Sequence, residues 1–199
     1  SWSALGTGIG AATGDPFPAV VQALATFQGS LYAAGTFTRA GSIETRGIAR
    51  WNGAEWSDVG GGLGVPAGGR IPSVTAMAVY DNGQGASLYI AGIMDEVGGV
   101  PARNIAKWDG AAWSPVGSGI GTGVNDRVWT LNVFDDGSGP ALYAGGEFAD
   151  AGGLPAANIA RWNGSAWSAV GDGVDGAVAN LVPGHGVAAP FGNVVDHAA

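Results

Sequence analysis

One short pattern recurs along this chain at a nearly fixed step, and that periodicity restricts the fold more than any other feature. Leu31-Tyr32-Ala33-Ala34-Gly35 returns as Leu88-Tyr89-Ile90-Ala91-Gly92 and as Leu142-Tyr143-Ala144-Gly145-Gly146, with the tyrosines 57 and 54 residues apart. Ile48-Ala49-Arg50-Trp51-Asn52-Gly53 returns at the same two steps, as Ile105-Ala106-Lys107-Trp108-Asp109-Gly110 and Ile159-Ala160-Arg161-Trp162-Asn163-Gly164. A third motif, Trp-Ser-x-Leu/Val-Gly, occurs four times, beginning at Trp2, Trp56, Trp113 and Trp167. Motifs that stay in register over three copies mark a repeat protein.

Each copy reads as strands and turns. Asn-Gly or Asp-Gly lies between the tryptophans of each pair Trp51/Trp56, Trp108/Trp113 and Trp162/Trp167, which predicts a hairpin closed by a two-residue turn with positive φ at both central positions. Apolar runs Val20 to Phe27, Val74 to Tyr80 and Val128 to Phe134 precede the Leu-Tyr strands. Gln28-Gly29, Asp81 to Gly85 and Asp135 to Gly139 join them as turns. One repeat is thus a four-stranded antiparallel meander, which cannot cover both of its faces alone and must pack on its neighbours. The expected fold is all-β, a β-propeller of three full blades with a partial or shared fourth, and a β-solenoid is the alternative. The blades run over 17–64, 71–121 and 127–172 of a single domain 1–199. Residues 1–10 are the outer strand of a closing blade, and 173–199 form an irregular tail or an abbreviated fourth blade.

The two ends fit this scheme unequally. Closure of the ring would remove exposed strand edges. It would draw on Ala177 to Val182, Gly186 to Ala189 and Asn193 to Asp196, yet the tail lacks the Leu-Tyr and Ile-Ala-Arg-Trp signatures. The alternatives are a piece of a longer propeller, or an open arc that pairs with other copies to make a ring or filament. A start at Ser1, without Met, reads as a processed chain or a fragment.

With 38 glycines and only 12% charged residues, the chain is too apolar for disorder and too interrupted for long helices. A net charge of −8 would repel nucleic acid and anionic membrane surfaces. No apolar window reaches the length of a spanning helix, so membrane insertion is not expected. The lack of cysteine removes disulfides and thiolate chemistry.

Taken in this order, the three motifs resemble the large-protein repeats of bacterial secreted and surface proteins. They are also similar to the propeller region of fungal cortical marker proteins and, more distantly, to kelch propellers. The resemblance covers residues 1 to about 172. It departs from kelch where a paired glycine is expected after the second strand, since only Gly145-Gly146 conforms and the other copies have Ala34-Gly35 and Ala91-Gly92. It implies a propeller, an extracellular or cell-surface location in a bacterium, and binding or structural roles without a shared active site.

Among candidate site residues, Trp2, Trp51, Trp56, Trp108, Trp113, Trp162 and Trp167, with Tyr32, Tyr89 and Tyr143, recur at fixed places and read as packing between repeats. Trp129 occurs in one copy only, opposite Met77 and Ala23, and is the aromatic candidate for stacking on a ligand. Arg50, Lys107 and Arg161 precede a repeated tryptophan; they either offer positive charge to an anionic ligand or cover the Trp face and pair with carboxylates. Asp81, Asp135 and Asp136 resemble calcium-binding turns but lack the twelve-residue loop, so turn chemistry is the plainer reading. His185 and His197 lie in the tail, away from any assembled catalytic set. Carboxylate-only glycan hydrolysis by Glu147 and Asp150, or Asp95 and Glu96, is the weakest alternative. The sequence therefore predicts no enzyme, no cofactor and no resident metal. It predicts a structural or protein-interaction module that binds itself or another protein, with lectin-like carbohydrate binding as the alternative.

Overall fold

The computed structural model describes residues 4–13, 18–66, 70–121, 126–183 and 191–192. Trp2, His185, His197 and the stretches 186–189 and 193–196 lie outside the described residues. Those described fold entirely as strands and turns, with no helix.

Three four-stranded antiparallel sheets follow one another along the chain. The first comprises Val20–Phe27, Ser30–Thr36, Ile48–Trp51 and Trp56–Asp58. The second comprises Ser73–Asp81, Ala86–Ile93, Ile105–Trp108 and Trp113–Pro115. The third comprises Arg127–Asp135, Pro140–Glu147, Ile159–Trp162 and Trp167–Ala169. Each is a meander in which neighbours in sequence are neighbours in the sheet.

The outer hairpin differs in detail from its expected form. Trp51 pairs with Trp56, Trp108 with Trp113 and Trp162 with Trp167, so each loop holds four residues. Only the glycine adopts positive φ, as at Gly53 with φ 103°. The reason is the Asx side chain: Asn52 Oδ1 accepts from the N–H groups of Ala54 and Glu55, both at 2.9 Å, and this closes the turn. Asp109 and Asn163 repeat the arrangement. The segment between second and third strands carries a small two-stranded hairpin in each repeat. These are Arg39–Ala40 with Ile43–Glu44, Glu96–Val97 with Val100–Pro101, and Asp150–Ala151 with Leu154–Pro155.

Strand alternation gives every sheet two unlike faces. One carries the cross-strand tryptophan pair, whose rings lie 5.0–5.4 Å apart. The other carries the repeated tyrosine. The tyrosine face of the first sheet, with Phe27, Tyr32, Ala34 and Ile48, packs on the tryptophan face of the second, with Leu88, Ile90, Trp108 and Trp113. The second packs on the third in the same way, Tyr80, Tyr89 and Ile105 meeting Leu142, Trp162 and Trp167. The core is therefore a set of equivalent junctions between sheets, and one polar bond recurs in each. The indole N–H of Trp56 donates to the Leu5 carbonyl, that of Trp113 to Val59 and that of Trp167 to Val116, all at 3.0 Å. Donor and acceptor are the first and fourth residues of successive Trp-Ser-x-Leu/Val-Gly motifs.

Linkers fasten the same junctions. Ile9 pairs with Ala40, Leu63 with Val97 and Ile120 with Ala151, so the chain leaving each tryptophan motif joins the small hairpin of the following repeat. On the third sheet, the tyrosine face is covered instead by Val178 and Leu181, both buried. Asn132 Nδ2 donates to the Leu181 carbonyl at 2.9 Å.

Candidate functional site

The first and second strands of every repeat are paired through a bulge, at Val21/Ala23, Val74/Ala76 and Val128/Thr130. The glycine opposite is dictated by this crowding. A Cβ on Gly35, Gly92 or Gly146 would lie 2.1–2.2 Å from the carbonyl oxygen of Val20, Ser73 or Arg127. The extra residue on the bulged strand is Gln22, Thr75 or Trp129 in turn.

Trp129 is thus equivalent to Thr75 and Gln22, which corrects its alignment with Met77 and Ala23. The inner turn is shorter in the first repeat, where Phe27 pairs with Ser30, than in the second, where Tyr80 pairs with Ser87. That difference displaces the first strand of the first repeat relative to the rest; the second and third inner turns are alike, Asp81 pairing with Ala86 and Asp135 with Pro140, and Met77 stands two residues beyond the bulge. In the first two repeats the bulge residue reaches the next sheet. Gln22 Oε1 accepts from the Ser73 hydroxyl, and the Thr75 hydroxyl donates to the Val128 carbonyl. At Trp129 an indole replaces these hydrogen-bonding groups. The Arg127 guanidinium carbon lies 4.8 Å from the ring centroid, while its Nη2 stands 2.8 Å from Glu147 Oε2. The resulting half-buried aromatic, cation and carboxylate form the most chemically varied cluster on the bulge row.

Arg50, Lys107 and Arg161 lie on the tyrosine faces, opposite Tyr32, Tyr89 and Tyr143. The tryptophan that follows each of them projects from the other side of the same strand. Arg50 Nε donates to Ser30 Oγ at 2.9 Å. Arg161 Nη2 donates to Ser138 Oγ at 2.7 Å, and its Nε lies 3.5 Å from Asp136 Oδ2, so the carboxylate pairing holds in the third repeat. Spread over three sheets, these cations form no single anion pocket.

The aspartate turns are closed by their own carboxylates. Asp81 Oδ1 accepts from the N–H groups of Gly83 and Gly85, and Asp135 Oδ1 from Gly137 and Gly139. Asp136 accepts from the Ser138 hydroxyl and N–H and from the Tyr143 hydroxyl, and these bonds hold its pKa down to about 2. Burial pushes the Tyr143 hydroxyl up, assisted by its bond to that carboxylate. Tyr89 is raised by burial too, partly offset by the Trp162 indole beside it. Among the described residues no three His, Cys, Asp or Glu side chains are gathered as a metal site. Glu147, a carboxylate considered for glycan hydrolysis, is held in its ion pair with Arg127.

A cleft that sequence reasoning missed opens between the first and second sheets, with a volume of about 400 Å³. Phe37, Leu63, Val65 and Ile71 form apolar walls, and Arg46 and Arg70 stand at its polar side. Its only sequence signal is the change from Asn104 and Asn158 to Gly47 at one repeat position. Comparison with known proteins finds no matching family model, no matching curated protein and no matching solved structure.

Proposed function

We propose that the chain is a β-propeller module whose sheets are radial blades, and that it serves outside the cell as a noncatalytic structural or protein-interaction surface that self-associates. The observation that carries this reading is an unequal burial of equivalent positions. Val74 and Val128 are fully buried at their junctions, whereas Val21, in the same place on the first sheet, is 42% exposed. Leu24 is 63% exposed, although its counterpart Leu131 is 8%. The tryptophan face of the first sheet thus presents apolar surface that no other sheet of the chain covers. A second copy of the chain covers this face in the self-associated form.

Size-exclusion chromatography with light scattering tests this directly. The expected result is a mass above the 19.6 kDa of one chain, falling to 19.6 kDa in Leu24→Asp. A concentration-independent 19.6 kDa for the unaltered chain overturns self-association.

Carbohydrate binding is the second reading, favoured by Trp129 and its Arg127–Glu147 pair at the bulge, where an aromatic face and polar groups adjoin. Saturable binding on a glycan panel, lost in Trp129→Ala, supports it. Binding that survives the substitution refutes this site.

A further inference from the structure

At the second and third junctions one asparagine side chain is built into the fold. Asn104 is 4% exposed; its Oδ1 accepts from Met94 N–H at 3.3 Å. Its Nδ2 donates to the carbonyls of Ile120 at 3.0 Å and Asp126 at 3.2 Å. Asn158 repeats the pattern, accepting from Phe148 N–H at 3.1 Å and donating to the Val174 carbonyl at 2.9 Å. Both residues adopt positive φ, 66° and 64°, a conformation that asparagine tolerates and glycine favours.

The first junction has glycine there, Gly47 with φ 71°. The backbone around it is otherwise the same: Gly47 N–H donates to the Phe37 carbonyl, as Asn104 N–H does to Met94 and Asn158 N–H to Phe148. Removing the carboxamide leaves three backbone groups in the positions it serves elsewhere, Phe37 N–H, Leu63 C=O and Pro72 C=O. Phe37 and Leu63 are 4% and 1% exposed, and both line the cleft together with Pro72. A buried amide and carbonyl without their usual partner are costly, and the geometry selects a group that donates and accepts together.

We propose that this cleft is a binding site for a primary carboxamide, the side chain of an asparagine or glutamine presented by a peptide. The incoming carboxamide takes the place of the Asn104 side chain: its oxygen accepts from Phe37 N–H and its NH₂ donates to Leu63 and Pro72. Phe37, Val65 and Ile71 cover the aliphatic part, and the exposed Arg46 meets the peptide carbonyls at the mouth. Leu63 is the gate. A Cβ placed on Gly47 would stand 2.6 Å from Leu63 Cδ1, so this flexible tip leans over the vacated position and swings aside for the ligand. Ile120 and Val174, which hold the corresponding place beside a resident asparagine, are branched at Cβ and lack this reach. The site does not depend on how the sheets are closed into a larger assembly.

The test is an NMR titration of the full ¹⁵N-labelled chain with N-acetylasparagine N-methylamide, following the Phe37 amide. N-acetylaspartate N-methylamide and the glutamine compound run in parallel. The expected result is a saturable downfield shift of Phe37 N–H with the asparagine or glutamine compound, and affinity weaker by about tenfold or more for the aspartate compound, which cannot donate to the carbonyls. Propionamide separates the sources: affinity equal to the peptide analogue assigns the site to free small amides and overturns peptide recognition. The double variant Gly47→Asn/Leu63→Ile installs the resident side chain of the second junction and is expected to abolish the shift. Should that variant fail to fold, Arg46→Ala in the otherwise unaltered chain is expected to weaken the peptide analogue while sparing propionamide. No Phe37 shift with any carboxamide, or equal shifts with carboxamide and carboxylate, refutes the proposal.

Discussion

Trp108 and Trp113 face each other across one hairpin, are 8% and 7% exposed, and differ in a single respect that can be measured. The Trp113 indole N–H donates to Val59 at 3.0 Å, whereas the Trp108 indole N–H is buried with no partner. Replacing either by phenylalanine removes one fused ring's worth of apolar burial, about 1 kcal/mol at the usual coefficient. The ring losses nearly cancel in the comparison. In Trp113→Phe the Val59 carbonyl is left without its donor, which adds about 1–3 kcal/mol. In Trp108→Phe an unsatisfied donor disappears, and that gain offsets part of the ring loss. Trp113→Phe is therefore expected to destabilise by about 2–4 kcal/mol and Trp108→Phe by about 1 kcal/mol or less. For a chain of this size the gap of about 1–3 kcal/mol corresponds to about 2–12 °C in melting midpoint, at about 2–4 °C per kcal/mol. Far-UV circular dichroism during urea and thermal denaturation reads both variants without relying on tryptophan emission. Equal losses would refute the argument that the inter-repeat indole bond, and not ring burial alone, fixes the second tryptophan of each motif.

Two further outcomes follow from the same geometry. Gly92→Ala puts a Cβ 2.1 Å from the Ser73 carbonyl oxygen, a backbone atom that cannot rotate away, and is expected to cost about 3 kcal/mol or more. Gly10→Ala, where nothing lies within 4 Å, should stay within about 0.5 kcal/mol, and similar denaturation midpoints for the two would exclude the bulge explanation. The Asp136 carboxyl, held to about 2 in the folded chain by the Ser138 and Tyr143 bonds, contributes stability that is complete above the unfolded value near 4 and is lost as pH falls through about 2. Carboxyl-detected NMR should find its midpoint near 2, and stability in Asp136→Asn should fall less steeply between pH 4 and 2; a native midpoint near 4 would show that these hydrogen bonds do not form.

The strand order, the pairing of the tryptophans and the inner turns were legible because each is local: alternation, Asx-Gly and the Leu-Tyr signature act over a few residues. What escaped the sequence was set by the neighbouring strand or sheet. Gly35, Gly92 and Gly146 look like ordinary motif glycines until the carbonyl across the bulge is seen. Gly145, where other copies have alanine, answers to Val178, whose Cγ1 would lie 2.5 Å from an added Cβ. The tryptophan motif advertised apolar packing, but the bond from each indole to the previous repeat spans more than fifty residues and leaves no local trace. Trp129 was visible as an irregular aromatic, while its true equivalents, Thr75 and Gln22, required the strand register. The cleft was written only as glycine for asparagine at residue 47, a change that means nothing until the job of Asn104 is known.

The linkers give the molecule a mechanical character. Leu63 N–H donates back to Arg46 of its own repeat, while the next residue, Gly64, donates forward to Glu96 of the following one. Ile120 and Gly121 do the same towards Arg103 and Asp150. Tension along the backbone meets, at every passage between sheets, a stitch anchored on both sides, and the load is shared between two sheets before either can peel. The thread that joins the repeats is also the seam that holds them together.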